Sequence, residues 1–298
     1  MERRSFLQGL TAAAIAPADA MAEGGRVVPV VASFSILADM VQQIAGPAAR
    51  VTSLVGPDGD PHVFEPTPRD LRAVAGAWLV IENGLGLEGW MVRLHAAAGA
   101  KGVRVVAAES VKPRTMVEGG RLQTDPHAWQ DPANGVLYTK AIAAGLGKAD
   151  PSRNARYLEA ADRYVAEIRT TDAWIEEQFA PIPPEERRII TTHDAFGYYG
   201  ARYGIELLAA EGLGTDAEPS ARSLAALIAQ IRREKIRAVF LENMTDPRIA
   251  QMLVGETGAK LGGTVYSDAL SGASGPAPTY VGMLRYNTAV FAKAMRPA

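Results

Sequence analysis

Histidine, the side chain best suited to both metal and acid–base chemistry near neutral pH, is scarce in this sequence and unevenly placed. There is no cysteine, and there are four histidines: His62, His95, His127 and His193. Without cysteine, neither a disulfide framework nor a thiolate site is available, so a soft-to-borderline metal would have to be held by imidazole and carboxylate. His62 follows the loop Gly56-Pro57-Asp58-Gly59-Asp60-Pro61, directly after a strand-like run. His127 sits in Asp125-Pro126-His127-Ala128-Trp129-Gln130-Asp131-Pro132, a loop stiffened by two prolines that ends where a helix begins. His193 closes the run Arg188–Thr192, at a strand-to-helix junction. In α/β sheets ligands gather at the carboxyl ends of strands, where His62 and His193 fall, while His127 occupies a loop. Placement alone leaves two readings open, metal ligand or ordinary loop residue. His95 lies within Trp90–Ala100, away from any turn or strand end, and is assigned no function.

The elements that must position these residues follow a repeated grammar. Arg26–Ser33, Val51–Val55, Trp78–Glu82 and Val103–Ala107 read as strands, with helices at Ser35–Ile44 and Pro68–Ala75 among them. Short apolar strands separated by helices predict a parallel sheet covered on both faces. A second set follows, with strands at Arg188–Thr192, Ile205–Ala209, Ala238–Glu242 and Thr264–Ser267. Its helices are Ala195–Tyr203, Ala221–Glu234, Arg248–Thr257 and Tyr280–Ala294. Between the sets, Tyr157, Ala161, Tyr164, Ile168, Ile175 and Phe179 recur near a 3.6-residue period. Pro151 sits at the first helical position and Pro181, Pro183 and Pro184 end the run. The expected fold class is therefore α/β, with two lobes, each a mainly parallel sheet flanked by helices, joined by one long connecting helix. The divisions are 1–22 as a signal peptide, 23–150 as an N-terminal metal-binding lobe, 151–180 as the connecting helix and 181–298 as a C-terminal metal-binding lobe. A helical connector predicts restricted opening of the lobes.

Composition narrows the function classes. The 298 residues are 48% hydrophobic and 21% charged, the balance of a folded globular protein. The formal net charge of −2 provides no basic field for a phosphate backbone, so no nucleic-acid partner is expected. Arg3-Arg4, the apolar run from Phe6 to Ala16 and the small-residue site Ala20-Met21-Ala22 read as an export signal. Arg3-Arg4-Ser5-Phe6-Leu7 resembles a twin-arginine signal, and a Sec signal fits as well. The alternative is a short N-terminal helix. No later stretch reaches about 18 uninterrupted apolar residues, so a soluble mature chain is expected.

Four segments carry a family resemblance. His62-Val63-Phe64-Glu65-Pro66-Thr67, Asp125 to Pro132, Thr192-His193-Asp194-Ala195-Phe196-Gly197-Tyr198 and Tyr266-Ser267-Asp268-Ala269-Leu270 resemble, in order, the metal-site segments of the cluster A-I solute-binding proteins. These are the zinc and manganese receptors of bacterial ABC transporters. The phrase Leu85-Gly86-Leu87-Glu88-Gly89-Trp90 and the turn Glu218-Pro219-Ser220 also look like family features. The resemblance implies His62 and His127 as ligands from the first lobe, and His193 and Asp268 from the second. It further implies a periplasmic receptor of the zinc type that delivers Zn2+ to a membrane ABC permease. A periplasmic metal donor protein is the other candidate partner, and a monomer is the default state. Three imidazoles and one carboxylate suit four-coordinate zinc, whereas manganese favours more oxygen donors. Manganese members of the family typically carry glutamate at the position of His193. Copper would bind such a set tightly under the Irving–Williams order, so affinity alone does not name the metal. Glu65, Asp131, Asp194 and Glu242 are candidates to accept the outward N–H of a bound imidazole. Zinc members often have a long His-rich loop between the first two ligands, and here Glu118-Gly119-Gly120-Arg121-Leu122 is short and histidine-free.

Competing readings are a manganese receptor of the same family, an adhesin and a zinc hydrolase. A hydrolase needs an open metal position, which four protein ligands would close, and His-Glu-x-x-His is absent. The chain is therefore expected not to be an enzyme. No repeat or stalk supports an adhesin.

Overall fold

The computed structural model describes residues 26–118, 121–191, 193–209, 220–233, 236, 238–244 and 247–296. The expected signal peptide, the Gly119-Gly120 pair, Thr192 and most of the Glu218-Pro219-Ser220 turn lie outside the described residues.

The first lobe runs β1 (Val28–Phe34), α1 (Ser35–Ala45), β2 (Ala49–Val55), α2 (Pro68–Gly76), β3 (Leu79–Glu82), α3 (Met91–Ala98) and β4 (Val103–Val106). A hairpin of β5 (Arg114–Glu118) and β6 (Arg121–Asp125) follows, then α4 (Pro132–Ala149) and the long α5 (Asn154–Phe179). The second lobe comprises β7 (Arg188–Thr191), α6 (Gly197–Tyr203), β8 (Glu206–Ala209), α7 (Ala221–Arg233), β9 (Ala238–Glu242), α8 (Pro247–Thr257), β10 (Lys260–Val265) and α9 (Tyr280–Met295). Strand order is β2-β1-β3-β4 in one sheet and β10-β9-β7-β8 in the other. Every pair within these two sheets is parallel, and β5–β6 alone is antiparallel among the described pairs. The two-lobed α/β architecture matches the sequence-based expectation.

Three local outcomes differ from that expectation, each for an identifiable reason. The connecting helix was expected from Pro151, but Pro151–Arg153 forms a 3-10 turn before α5. Asp150 holds that turn, accepting from Ser152 Oγ at 2.6 Å and Tyr157 Oη at 2.9 Å. β10 begins at Lys260 and ends at Val265 rather than running from Thr264 to Ser267. The strand takes in Gly262 and Gly263, and a Cβ on Gly262 would meet the Phe240 ring at 2.3 Å, so the sheet needs a glycine there. The strand then ends because Asn287 of α9 takes over its hydrogen bonding, accepting from Tyr266 N at 2.9 Å and donating to Tyr266 O at 2.6 Å. The third difference is the β5–β6 hairpin, where the sequence shows only a short, histidine-free stretch.

The lobes are stitched together rather than loosely hinged. One apolar cluster runs from Val28, Phe34 and Leu79 through Tyr157 and Ile168 of α5 to Phe240, Val265 and Phe291. Across the interface Trp129 Nε1 and Gln130 Nε2 both donate to Ser267 O, at 2.8 and 2.7 Å, and Leu270 N donates to Ser35 Oγ at 2.9 Å. A shared core of this kind resists the wide opening that a small polar interface permits.

Tyr280 is one of the bolts. Its hydroxyl donates to Trp129 O at 2.6 Å, and it lies so close to α4 that a Cβ on Gly135 would sit 2.4 Å from Tyr280 Oη. Helix propensity alone favours alanine over glycine by about 1 kcal/mol. Overpacking costs typically 1–3 kcal/mol, so Gly135→Ala should lower stability on balance. Calorimetric unfolding checks this, and a melting temperature at or above wild type would mean that Tyr280 moves aside freely.

Candidate metal centre

His62 follows β2, His193 follows β7 and Asp268 follows β10, so the carboxyl ends of both sheets converge on one point; His127 joins them from the loop after β6. One ligand atom from each of the four lies within 4.8 Å of every other. His62 Nε2 is 3.3 Å from His127 Nε2 and 3.2 Å from Asp268 Oδ2. Asp268 Oδ1 lies 3.7 Å from His127 Nε2, and His193 Nδ1 lies 3.6 Å from Asp268 Oδ2. A tetrahedron with zinc–nitrogen bonds near 2.05 Å has edges of about 3.3 Å, so the His62–His127 spacing is that of two nitrogens sharing one ion.

The donor chemistry fits a cation. Asp268 is fully buried, and its Oδ1 has no hydrogen-bond partner among the described residues. An unsatisfied buried carboxylate oxygen is costly unless a positive charge serves it. His127 and His193 are buried as well, while His62 is the most exposed of the four, with 18% of its side chain accessible. A cleft of about 390 Å3 leads to the imidazoles, walled by Leu85, Gly86, Met116, Gln123 and Thr124.

Carboxylates fix two of the three rings. His127 Nδ1 lies 2.8 Å from Asp125 Oδ1, and His193 Nδ1 lies 3.1 Å from Glu242 Oε2. Donation from each Nδ1–H leaves the Nε2 lone pair for a metal. Glu242 also accepts from His193 N at 2.8 Å. Of the four carboxylates expected behind the histidines, Glu242 therefore takes that position. Asp131 instead caps α4, accepting from Ala133 N, and lies 3.3 Å from Arg202. Glu65 is exposed. Asp194 is half-buried with its carboxyl pushed up by burial, the nearby Asp125 adding to the effect.

Sequence reasoning missed Asp125 behind the His127 ring and Asp60 as a backbone mount for His62, although a signal was present. The tripeptide Asp-Pro-His occurs twice, at Asp60-Pro61-His62 and Asp125-Pro126-His127. In both, the aspartate accepts the backbone N–H of the histidine two residues on, at 2.7 and 3.0 Å. This is an Asx turn with proline at its centre, a rigid mount for the imidazole. His95 is on α3, outside the four-residue group.

The charges are mutually dependent. Burial alone would raise the Asp268 carboxyl, but the imidazoles of His127, His193 and His62 hold it well below the usual carboxylate range. Burial would lower His193, but Glu242 and Asp268 push it up to about 10. His62 is likewise raised, Asp268 outweighing the effect of burial. Removing the Glu242 charge should therefore loosen the His193 ring and make its Nε2 less basic. Glu242→Gln is expected to weaken metal binding about 10- to 100-fold, the usual cost of losing such a carboxylate. A competition titration against a chromophoric chelator measures this, and unchanged affinity would show that Glu242 only supports the loop.

Comparison with known proteins places these features in context. Residues 30–294 match the family described as zinc-uptake complex component A, periplasmic (ZnuA). The iron-binding protein YfeA of Yersinia pestis is 33% identical over 265 residues, covering 89% of this chain and 85% of YfeA. The manganese-binding lipoprotein MntA of Halalkalibacterium halodurans is 31% identical over 269 residues, covering 90% and 89%. Among solved structures, the periplasmic zinc-binding protein TroA of Treponema pallidum superposes with a TM-score of 0.84 at 28% identity, covering 92% of this chain and all of that one.

Proposed function

We propose, because this chain belongs to the periplasmic zinc-uptake complex component A family, that it captures zinc outside the cytoplasmic membrane and delivers it to an ABC permease. The family consists of solute-binding proteins of metal ABC importers, so the chain is a metal-binding receptor and not an enzyme. In our reading His62, His127, His193 and Asp268 are the four ligands of one transported zinc ion. The observation that carries this reading is the donor set itself, three converging imidazoles and one buried carboxylate with an unsatisfied oxygen. Such a nitrogen-rich, four-donor set suits zinc better than the harder, higher-coordinate manganese or ferrous ions. Four protein donors also close the shell, as befits a cargo to be held rather than a metal that must admit substrate.

The same reading puts the chain in the periplasm, exported by residues 1–22, with its cleft presented to the permease. Among the described residues no helix is long and apolar enough to cross a membrane. A manganese- or iron-carrying function is the second reading, and it is favoured by relatives whose names state those metals. Anaerobic competition titrations with Zn2+, Mn2+ and Fe2+ separate the two. One tightly held zinc per chain, displaced by neither of the others at equal concentration, is expected. Manganese or iron held as tightly as zinc would favour the second reading, and two tight zinc ions would mean a second site.

A further inference from the structure

Behind the cleft lies a buried acid that the metal centre does not use directly. Glu88 belongs to the Leu85–Trp90 phrase and is 7% exposed, with no cation among its hydrogen-bond partners. Three donors meet its carboxylate instead. Oε1 accepts from Ser33 Oγ at 2.6 Å and from Asn83 N at 2.7 Å, and Oε2 accepts from Gly84 N at 3.2 Å. Burial pushes the carboxyl up to about 7, although all three donors favour the ionised form. A buried carboxylate of this kind is an expensive way to fill space, so what it holds matters.

It holds a turn in an uncommon conformation. Gly84, Leu85 and Gly86 have φ of +85°, +55° and +90°, and the middle one is not glycine. An L-residue with a branched side chain keeps positive φ only where its surroundings dictate it. Leu85 and Gly86 form one wall of the cleft over the imidazoles. The Asn83 side chain at the head of the same turn reaches the other wall. Asn83 Nδ2 donates to Pro126 O at 2.9 Å, in the residue before His127, and Asn83 Oδ1 accepts from the Tyr138 hydroxyl at 2.5 Å. Bonds therefore run without a gap from Glu88 through Asn83 to the peptide that carries His127, and all of these groups are buried.

We infer that Glu88 is a positioning residue of the metal site: by holding the Asn83–Gly86 turn it sets the cleft wall and, through Asn83, the aim of the His127 imidazole. The inference rests on the reading of His62, His127, His193 and Asp268 as the zinc ligands. Its chemistry requires an acceptor-only group. A glutamine at 88 has nearly the same shape but must turn an NH2 toward one of the N–H or O–H donors, so two donors face each other and one is released.

The test compares wild type, Glu88→Gln, Asn83→Ala and the double variant, with Glu159→Gln on the exposed face of α5 as a control. Zinc affinity is read by chelator competition, and geometry by the visible d–d absorption of the Co2+-loaded protein. Thermal unfolding of the metal-free forms is recorded separately. Glu88→Gln should weaken zinc binding about tenfold and reduce the Co2+ band intensity, as an outer-sphere change that tilts a ligand does. Asn83→Ala should do the same, and the double variant should be no worse than the stronger single variant, because both break one chain of bonds. Wild-type zinc affinity and an unaltered Co2+ band in Glu88→Gln, whatever its melting temperature, would overturn the inference. Full additivity in the double variant would also overturn it. Failure of the wild-type protein to bind zinc or Co2+ would instead reject the reading of the site. Should Glu88→Gln not fold, Asn83→Ala still decides the matter, since it cuts the link to Pro126 while leaving Glu88 and its three donors in place.

Discussion

Replacing Asp268 with asparagine is expected to weaken zinc binding by about two to three orders of magnitude while leaving the fold intact. Apparent zinc-binding energies of four-ligand sites run near 10–16 kcal/mol, or roughly 2.5–4 kcal/mol per ligand. Each 1.4 kcal/mol is about a factor of ten in affinity. Asp268 should sit at the upper end of that range because it is the one anion among the four and is buried against all three imidazoles. Asparagine keeps the shape and one oxygen but not the charge, so the loss reports the ligand charge rather than a cavity. A capping role would predict something different: about 1 kcal/mol of stability lost and affinity preserved. The structure leaves little for a cap, since the Asp268 carboxylate contacts His62 and its other oxygen has no hydrogen-bond partner among the described residues. Chelator competition on Asp268→Asn, with His95→Ala alongside, tests the expectation. Wild-type affinity in Asp268→Asn, or a comparable loss in His95→Ala, would remove Asp268 from the centre.

The apolar runs of β1, β3, β7 and β9 were legible because strands buried on both faces need no partner to be recognised; Ala238–Glu242 has the same limits in sequence and structure. β10 was harder. Its Gly262-Gly263 pair looks like a turn until Phe240 is seen filling the place of a side chain, and that contact comes from a different strand. The hairpin beside the cleft was overlooked for the opposite reason. Its residues alternate and flank Gly119-Gly120, the composition of a two-residue hairpin loop, but they are mostly exposed and carry little apolar signal. The four candidate metal residues were found through strand ends and family segments, and the structure brings them within 4.8 Å. The carboxylates behind them were found only in part. Glu242 reaches His193 across 49 positions of sequence, whereas Asp125 lay two residues from His127 and was passed over. Nearness in sequence shows which side chain can reach an imidazole only when the turn between them is known, and Pro61 and Pro126 set that turn.

The metal-free protein should lose stability as pH rises, whereas the stabilisation that zinc adds should grow. In the metal-free protein, His193 is raised from 6.5 to about 10 by Glu242 and Asp268 against the effect of burial. A histidine raised in the folded state stabilises fully below its unfolded value, so this contribution is complete below about pH 6.5 and lost as pH rises toward 10. Asp268 is depressed below 3.8, so its contribution is present above that value and lost as pH falls through the folded one. Metal-free stability from this cluster should therefore be greatest between about pH 4 and 6.5 and should decline on the alkaline side. Zinc at the proposed site would offset that decline, because it binds only neutral imidazoles and would displace the protons that His193 and His62 hold. If one proton is displaced, affinity rises about tenfold per pH unit, and the stabilisation at fixed free zinc grows by about 1.4 kcal/mol per unit. From pH 6 to 8 the zinc increment should then grow by about 3 kcal/mol, or about twice that if both imidazoles release a proton. Each kcal/mol is worth roughly 2–4 °C for a chain of this size, so the added melting shift should be on the order of 10 °C. Scanning calorimetry at pH 6, 7 and 8, with free zinc clamped by a metal buffer, measures both curves. A zinc increment that stays constant across this range would mean that the histidines are already neutral without metal, and that Asp268 and Glu242 do not hold protons on the site.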